Sequence, residues 1–247
     1  MGETVALAKD KQLSFSEQLT IAMTEQKEAI PDTLNTARFA QNCVALLNEH
    51  PELTKYNPAM LKAGLLKGAY LGLDFYSKEC YLVPFGNQLQ FSIDYRGAKK
   101  LCKRFSIRPV RDIGAQVVRE GDDFTMDVVD GQTTFNFKPK PFNGGNIIGA
   151  FAYVIYQDGG VSVEQMSKAE IDMTRSKSRA KNAMAWSDFY SEMAKKTVIH
   201  RLCKHIELDM NARQRELWGD DMAIDTERQK PVVENPFGDA EVVDADE

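Results

Sequence analysis

Residues 94–104 read DYRGAKKLCKR, and this stretch predicts a helix with two unlike faces. At about 100° per residue, four of its cations fall on one side and its small and apolar residues fall on the other. The cationic side carries Arg96, Lys99, Lys100 and Lys103, and the apolar side leads through Ala98, Leu101 and Cys102 to Phe105. We therefore expect a helix that packs on a core and presents positive charge to a polyanion.

The sequence before this helix predicts a β-hairpin preceded by helices. Residues 81–85 and 89–93 flank a Gly-Asn pair typical of a tight turn, and the apolar residues of the second strand alternate toward one face. Further upstream, the capping-box pattern Ser14-x-x-Glu17 opens a helix that continues to about Ile30. A second helix is expected over residues 36–50, and Asn57-Pro58 opens a third.

After residue 104 the period of the sequence changes to that of strands. We expect strands at residues 115–119, 124–129, 133–138, 147–156 and 160–165, separated by Gly-containing turns. Ser167-x-x-Glu170 caps a short helix, and a long helix follows over residues 186–206. The apolar residues of its two halves lie on different sides, so this helix either kinks within the chain or packs against another subunit.

These elements define the fold class α+β, with helices flanking a mostly antiparallel sheet. We expect residues 1–34 to form an N-terminal helical or flexible segment and residues 35–218 to form the folded core. Residues 219–247 contain two prolines and no sustained apolar period, so we expect a disordered acidic tail. Within the tail, Pro236 and Phe237 are the candidate partner-binding residues, and an inert linker is the alternative interpretation.

Charge is sorted along the chain. The formal net charge is −5, yet residues 95–120 carry +6 and residues 168–215 carry +5, while the last 32 residues carry −9. Two cationic segments in an acidic molecule favour binding to a polyanion, which the overall charge alone does not suggest. A solvated basic surface is the alternative interpretation for either segment by itself.

The candidate DNA-binding residues come from these two segments. They are Tyr95, Arg96, Lys99, Lys100, Lys103, Arg104, Lys177, Arg179, Lys181, Lys195, Lys196, Arg201 and Lys204. Either Tyr95 or Trp186 is expected to shape the floor of the groove, whereas strand alternation places most other aromatic residues in the core. For Lys195 and Lys196 an ion pair between subunits is the alternative.

The sequence contains few signs of catalysis, metal binding or membrane insertion. It has no Walker A motif, so ATP-driven strand exchange is unsupported, and its four cysteines are expected to be buried and reduced. No signal peptide or membrane span is recognisable, which predicts a cytoplasmic protein. A metal-dependent nuclease using Asp94 and Asp122 is one rival hypothesis, and a structural ring or adaptor protein is another.

Four strings, taken together and in order, resemble the RecT family of phage recombination proteins. They are LQFSIDYRG at residues 89–97, GDDF at 121–124, GAFA at 149–152 and EMAKKTVIHRLCK at 192–204, and the resemblance spans residues 57–204. The chain departs from the family pattern at His200, where a further cation is expected, and at Ala185, where a stiffer residue is common. These departures concern details of the groove.

The resemblance implies an ATP-independent annealing protein with a RecT/Red-beta-like core that binds single-stranded DNA and the annealed duplex intermediate. It also implies a homo-oligomer in the form of a ring or helical filament, a partner 5′-to-3′ exonuclease, and contact with the host single-strand DNA-binding protein. No catalytic residue and no resident metal are expected. No cofactor is required on this interpretation, and Mg²⁺ acts only as a modulator of DNA binding.

Overall fold

The computed structural model describes residues 13–178 and 181–222, with the side chains described through residue 220. Its helices are α1 (Phe15–Glu25), α2 (Thr36–Glu49), α3 (Pro58–Leu71), α4 (Tyr95–Phe105), α5 (Lys168–Lys177), α6 (Met184–Asp188), α7 (Tyr190–Lys204) and α8 (Ala212–Met222). Its strands are β1 (Cys80–Phe85), β2 (Gln88–Ile93), β3 (Val110–Arg119), β4 (Asp123–Val129), β5 (Gln132–Lys138), β6 (Ile147–Tyr156) and β7 (Val161–Ser167). Short 3-10 turns occupy Lys27–Ala29 and Pro51–Lys55. The α+β prediction is confirmed.

The predicted capping signals begin the helices where the sequence places them. The Ser14 hydroxyl accepts a hydrogen bond from the Glu17 backbone N–H, and the Glu17 carboxylate accepts from the Ser14 N–H. Ser167 and Glu170 form the same reciprocal capping box at α5. Asn57 caps α3, and Pro58 occupies its first turn. Each cap satisfies backbone donors that have no partner inside the helix.

A three-stranded antiparallel sheet in the order β3–β6–β7 forms the centre of the second half of the chain. On one face of β6, Ala150, Ala152 and Val154 belong to the main hydrophobic core, on which α7 packs. On the opposite face, Phe151 and Tyr153 contact aromatic rings of the β4–β5 hairpin. The sheet therefore separates the side that carries α4 and α7 from the side that carries this hairpin.

The β4–β5 hairpin covers the far face of the sheet through ring contacts. The Phe124 ring stacks on Phe151 at 4.6 Å between centroids, and the Phe135 ring stacks on Tyr153 at 5.3 Å. Its turn places Asp130 and Gly131 at positive φ, 51° and 74°, which is the requirement of a type I′ hairpin turn. The rings pack on the sheet, but Phe124, Phe135 and Phe137 are only half-buried and lie outside the main core, so their assignment to the core was wrong.

The predicted helix over residues 186–206 is wrong as a single element. The chain leaves helical geometry at Phe189, with φ −128° and ψ 41°, so α6 and α7 are separate helices. Trp186 is buried before the break, and Val198 and Leu202 are buried in the core after it. The break explains within one chain why the two halves bury different sides.

Two other boundaries also differ from the sequence-based expectation. The first helix ends at Glu25, where a 3-10 turn takes over, and β3 begins at Val110 instead of residue 115. All four cysteines are free and buried, as predicted. Among the described residues, none of the helices combines the length and apolar character that a bilayer crossing requires.

Candidate nucleic-acid interface

Helix α4 is held in place by its N-terminus and by its apolar face. The Asp94 carboxylate accepts from the Arg96 backbone N–H at 3.1 Å and so caps the helix. Ala98, Leu101 and Cys102 are buried, as the periodicity predicts. The Glu79 carbonyl lies so close to Gly97 that a Cβ at that position would overlap it. The cationic face therefore points outward from a helix with little freedom to move.

The outward face of α4 forms one side of an open concavity of about 490 Å³. It is lined by Glu79, Arg96, Lys99, Lys100, Lys103 and Arg104. Five of these six side chains are cationic, all five were predicted from the sequence, and the structure brings them together at one surface. Such a surface concentrates positive potential where a phosphate backbone can approach.

Not all five cations are equally available to a ligand. The Lys100 ammonium lies 2.6 Å from a Glu79 carboxylate oxygen, and both side chains are partly buried. Lys103 contacts Asp112 at 3.3 Å between exposed side chains. An exposed pair of this kind contributes little and exchanges readily with another anion. Glu79 was not foreseen, because the residue lies 21 positions from Lys100 and no local pattern links the two.

Tyr95 joins this face to α7. The Lys196 ammonium lies 5.4 Å from the centroid of the Tyr95 ring, and the Arg96 guanidinium lies 5.5 Å from the same centroid. The Arg96 Nε also donates to the Tyr95 hydroxyl at 3.3 Å. Cations of both helices therefore contact the half-buried Tyr95 ring. This arrangement is favourable because the face of the ring is electron-rich.

The buried side of the same junction is closed by two cysteines. Cys203 and Cys102 hydrogen-bond to each other, and this contact together with burial raises the pKa of the Cys102 thiol well above its ordinary value. Lys196 and Cys203 are about two helical turns apart, so both point from α7 toward α4. The contact between the helices thus fixes Lys196 beside the first cationic set.

The other predicted residues of α7 have partners within the chain. Lys195 forms an ion pair with Glu192 one turn earlier. The Arg201 guanidinium bridges two elements, with Nε 2.7 Å from Glu164 on β7 and a terminal nitrogen 2.9 Å from Glu170 on α5. Arg201 therefore has a clear structural role in tying α7 to the sheet. Lys204 is exposed on the last turn of the helix.

The remaining predicted cations lie at the end of α5 and in the segment that follows it. Lys177 ends α5 and Lys181 follows it, and both are exposed, whereas Arg179 lies outside the described residues, as do Pro236 and Phe237. Trp186 is only 4% exposed, and the Arg175 guanidinium lies 5.6 Å from the centroid of its ring. Of the two rings expected at the groove floor, Tyr95 is the one that lies among the α4 cations.

The carboxylates of the nuclease hypothesis are engaged in local structure. Asp94 caps α4, and Asp122 closes a loop by accepting from the Asn143 side chain at 2.8 Å and from the Lys140 and Arg119 backbone N–H groups at 2.9 Å. These hydrogen bonds lower the pKa of Asp122, that from Asn143 most strongly. Across residues 13–178 and 181–222, no three His, Cys, Asp or Glu side chains are grouped as a metal site requires.

One exposed feature near the cations escaped the sequence-based prediction. Tyr81, Val83 and Phe85 point away from the core along β1 and are 40%, 40% and 46% exposed. Their alternation with Cys80 and Leu82 was visible in the sequence, but it could not show which of the two faces was buried.

This combination of an α+β core with a cationic helix after a hairpin agrees with the family comparison. The model of the RecT family matches residues 37–234, most of the chain, and the protein belongs to that family. The match is wider than the span of the four strings recognised in the sequence. Membership places the protein among recombination and annealing proteins.

Two relatives illustrate the range of similarity. The chain is 26% identical to Protein RecT of Escherichia coli (strain K12) over 226 residues, which cover 87% of this chain and 80% of the relative. It is 23% identical to the uncharacterized protein YqaK of Bacillus subtilis (strain 168) over 199 residues, covering 80% of this chain and 63% of that relative.

Proposed function

We propose that this protein binds single-stranded DNA and anneals complementary strands without ATP during homologous recombination. The observation that carries the proposal is the position of Lys196 over the Tyr95 ring, 5.4 Å from its centroid. This contact joins a cation of α7 to the five cations of the α4 concavity. The two basic segments of the sequence thereby contribute to one surface in the fold.

The proposed mechanism follows from the chemistry of this surface. Lysine and arginine side chains contact phosphates, which are the same in every sequence, and so position a strand without selecting its bases. Bases that are not read by hydrogen bonds keep their pairing edges available to a complementary strand. Annealing of arbitrary sequences requires this separation of backbone contact from base pairing.

Many copies of such a surface hold a strand better than one copy does. Each protomer offers a small number of phosphate contacts, so assembly into a ring or helical filament along the strand multiplies them and makes binding cooperative. We include in the proposal a partner 5′-to-3′ exonuclease that supplies the single strand and a host single-strand DNA-binding protein. The family resemblance is the support for these partners.

The acidic C-terminal segment is assigned a regulatory role in this proposal. Its negative charge competes for the cationic surface until a partner engages Pro236 and Phe237. The sequence places the start of the tail at residue 219, but α8 runs to Met222, so truncation is moved to follow Met222 and leaves the described fold complete. The truncated protein is expected to bind single strands more tightly and to lose partner contact, whereas weaker binding would assign the segment a structural role.

The test of the proposed function mixes two complementary labelled oligonucleotides with the purified full-length protein and no ATP. The proposal expects duplex formation faster than in protein-free controls, and faster than with a variant carrying Lys99→Glu and Lys103→Glu. An unchanged rate would contradict it and support a structural ring or adaptor protein. Incubating one labelled strand with Mg²⁺ tests the nuclease alternative, since cleavage would overturn an annealing-only function.

A further inference from the structure

Strand β1 presents an apolar stripe on its solvent face. Cys80 and Leu82 point into the core, while Tyr81, Val83 and Phe85 point outward. Alternate residues of a strand stand about 6.8 Å apart on the same face, so the stripe extends over roughly 13 Å. The solvent face of an antiparallel hairpin ordinarily carries polar residues, so this stripe requires an explanation.

The stripe is mounted on a hairpin fixed to the body of the protein. Six residue pairs register β1 against β2, from Cys80 opposite Ile93 to Phe85 opposite Gln88. The Leu82 side chain packs against Gly64 of α3, closely enough that a Cβ there would meet it at 2.8 Å. The Tyr56 hydroxyl donates to the Gly86 carbonyl at 3.3 Å and ties down the turn. A ligand of the stripe therefore meets a preorganised surface.

One end of the stripe adjoins the cationic surface. Partial burial raises the pKa of the Tyr81 phenol, with the nearby Asp94 carboxylate adding to the effect and the Arg96 guanidinium opposing it. The Arg96 guanidinium in turn lies 5.5 Å from the centroid of the Tyr95 ring, which the α7 cation Lys196 also contacts. In the hairpin register Tyr81 lies opposite Ser92, two residues before the Asp94 that caps α4, so the stripe begins beside the proposed phosphate-binding surface.

We propose that Tyr81, Val83 and Phe85 form a stacking surface for the bases of the strand whose phosphates α4 holds. The inference rests on the proposed function and extends it by naming the groups that contact the bases. Aromatic side chains beside a cationic track are the combination used to bind single-stranded nucleic acid without sequence preference. A stacked base uses its π-face and leaves its pairing edge exposed, so the stripe is compatible with annealing.

Size and charge favour nucleobases over a second copy of the chain as the occupant. A stable protein interface buries about 800 Å² on each partner, far more than three partly exposed side chains offer. The cations at the Tyr81 end suit a strand that continues from the stripe onto α4. A subunit contact remains an outcome that the experiment must distinguish.

The test compares two oligonucleotides that carry the same phosphates, a thymidine strand and an abasic strand of equal length. Tyr81→Ala and Phe85→Ala are each expected to weaken binding of the thymidine strand by about 5- to 150-fold, the range for losing one stacked base. Binding of the abasic strand is expected to stay unchanged. Phe142→Ala is the matched control because that ring is fully exposed on the loop after β5.

Further variants separate the stacking role from a structural one. Tyr81→Phe keeps the ring and is expected to restore thymidine-strand affinity, whereas Tyr81→Leu is not. A halogenated-pyrimidine strand irradiated on the wild-type protein is expected to crosslink to β1. Three results would each overturn the inference. They are equal losses of affinity for both strands, no loss of affinity for either strand, and a changed oligomer size in a variant that still binds the thymidine strand better than the abasic strand to the same extent as the wild type. Failure of the wild-type protein to bind either strand would instead contradict the proposed function.

Discussion

The ammonium of Lys196 on α7 lies 5.4 Å from the centre of the Tyr95 ring at the start of α4. The two residues are about a hundred positions apart in the sequence. Their contact brings together two basic segments whose proximity could not be predicted from the sequence. Arg96 lies on the same ring at 5.5 Å. Tyr95 is therefore the centre of the proposed phosphate-binding surface.

Loss of the Tyr95 ring is expected to weaken DNA binding without removing a charge. Tyr95→Leu removes the aromatic face that Lys196 and Arg96 contact. The loss of each cation–π contact costs about 0.5–1 kcal/mol. We expect a roughly fivefold loss of affinity for single strands with an unchanged salt slope, measured by fluorescence anisotropy over a range of salt concentrations. Tyr95→Phe retains the ring and is the control, and equal losses in both variants would assign the effect to the hydroxyl.

Removal of the Glu79 charge is expected to strengthen DNA binding. Glu79 lies in the concavity and pairs with Lys100 at 2.6 Å, so Glu79→Gln frees one ammonium for a phosphate. Each additional phosphate contact steepens the slope of log affinity against log salt by about 0.7 for a single strand. Glu216→Gln removes an exposed carboxylate that pairs with Arg213 on α8 and is the matched control. A weaker affinity in Glu79→Gln would show that the pair positions Lys100 productively.

A methyl group at Gly97 is expected to destabilise the fold. Alanine is favoured over glycine inside a helix by about 1 kcal/mol. Here, however, the added Cβ would overlap the backbone carbonyl of Glu79, and overpacking of this kind costs about 1–3 kcal/mol. Chemical denaturation of Gly97→Ala should give a net loss, whereas Gly144→Ala, which meets no atom within 4 Å, should give none. A stabilised Gly97→Ala protein would contradict the close approach of residue 79 to α4.

The Glu170 carboxylate is expected to make stability depend on pH in the acid range. Hydrogen bonds from the Ser167 backbone N–H and then from Arg201 lower the pKa of Glu170 from its ordinary value of 4.5. Because the pKa is lowered in the folded state, the stabilisation is complete above the ordinary pKa and is lost as the pH falls through the folded-state pKa.

Urea denaturation of the wild type and of Glu170→Gln measures this contribution. The difference in unfolding free energy should be constant from neutral pH down to about 5 and should shrink below about 4.5. Glu25→Gln, at the exposed end of α1, is the control for removing a surface carboxylate. A difference that stays constant into the acid range would contradict the lowering of the Glu170 pKa by the Ser167 cap and Arg201.

Much of the fold was predictable because its signals are local. The face of α4, the capping boxes and the hairpin turns depend on residues within a few positions of one another, and all were recognised. The break at Phe189 was not, because neither proline nor glycine marks it. The partners of Lys100 and Arg201, and the exposed side of β1, depend on residues brought together from distant parts of the chain.

The same limit applies to the candidate site. The candidate cations were predicted from the sequence, but which of them bind a ligand and which form ion pairs within the fold was not. The structure gives Arg201 an obvious structural task between β7 and α5, and it places Lys196 beside the α4 surface. Trp186, one of two rings considered for the groove floor, is covered by its own chain. Tertiary contacts, which the sequence does not display, account for each of these distinctions.

The central claim is that α4 and α7 form one phosphate-binding surface, and the salt dependence of single-strand binding tests it most directly. The variant carrying Lys99→Gln, Lys103→Gln and Lys196→Gln should reduce the slope of log affinity against log salt by about 2, at about 0.7 for each lost phosphate contact. Lys138→Gln, an exposed lysine on the hairpin across the sheet, should leave the slope unchanged. An unaltered slope in the triple variant, with its fold intact, would contradict the claim.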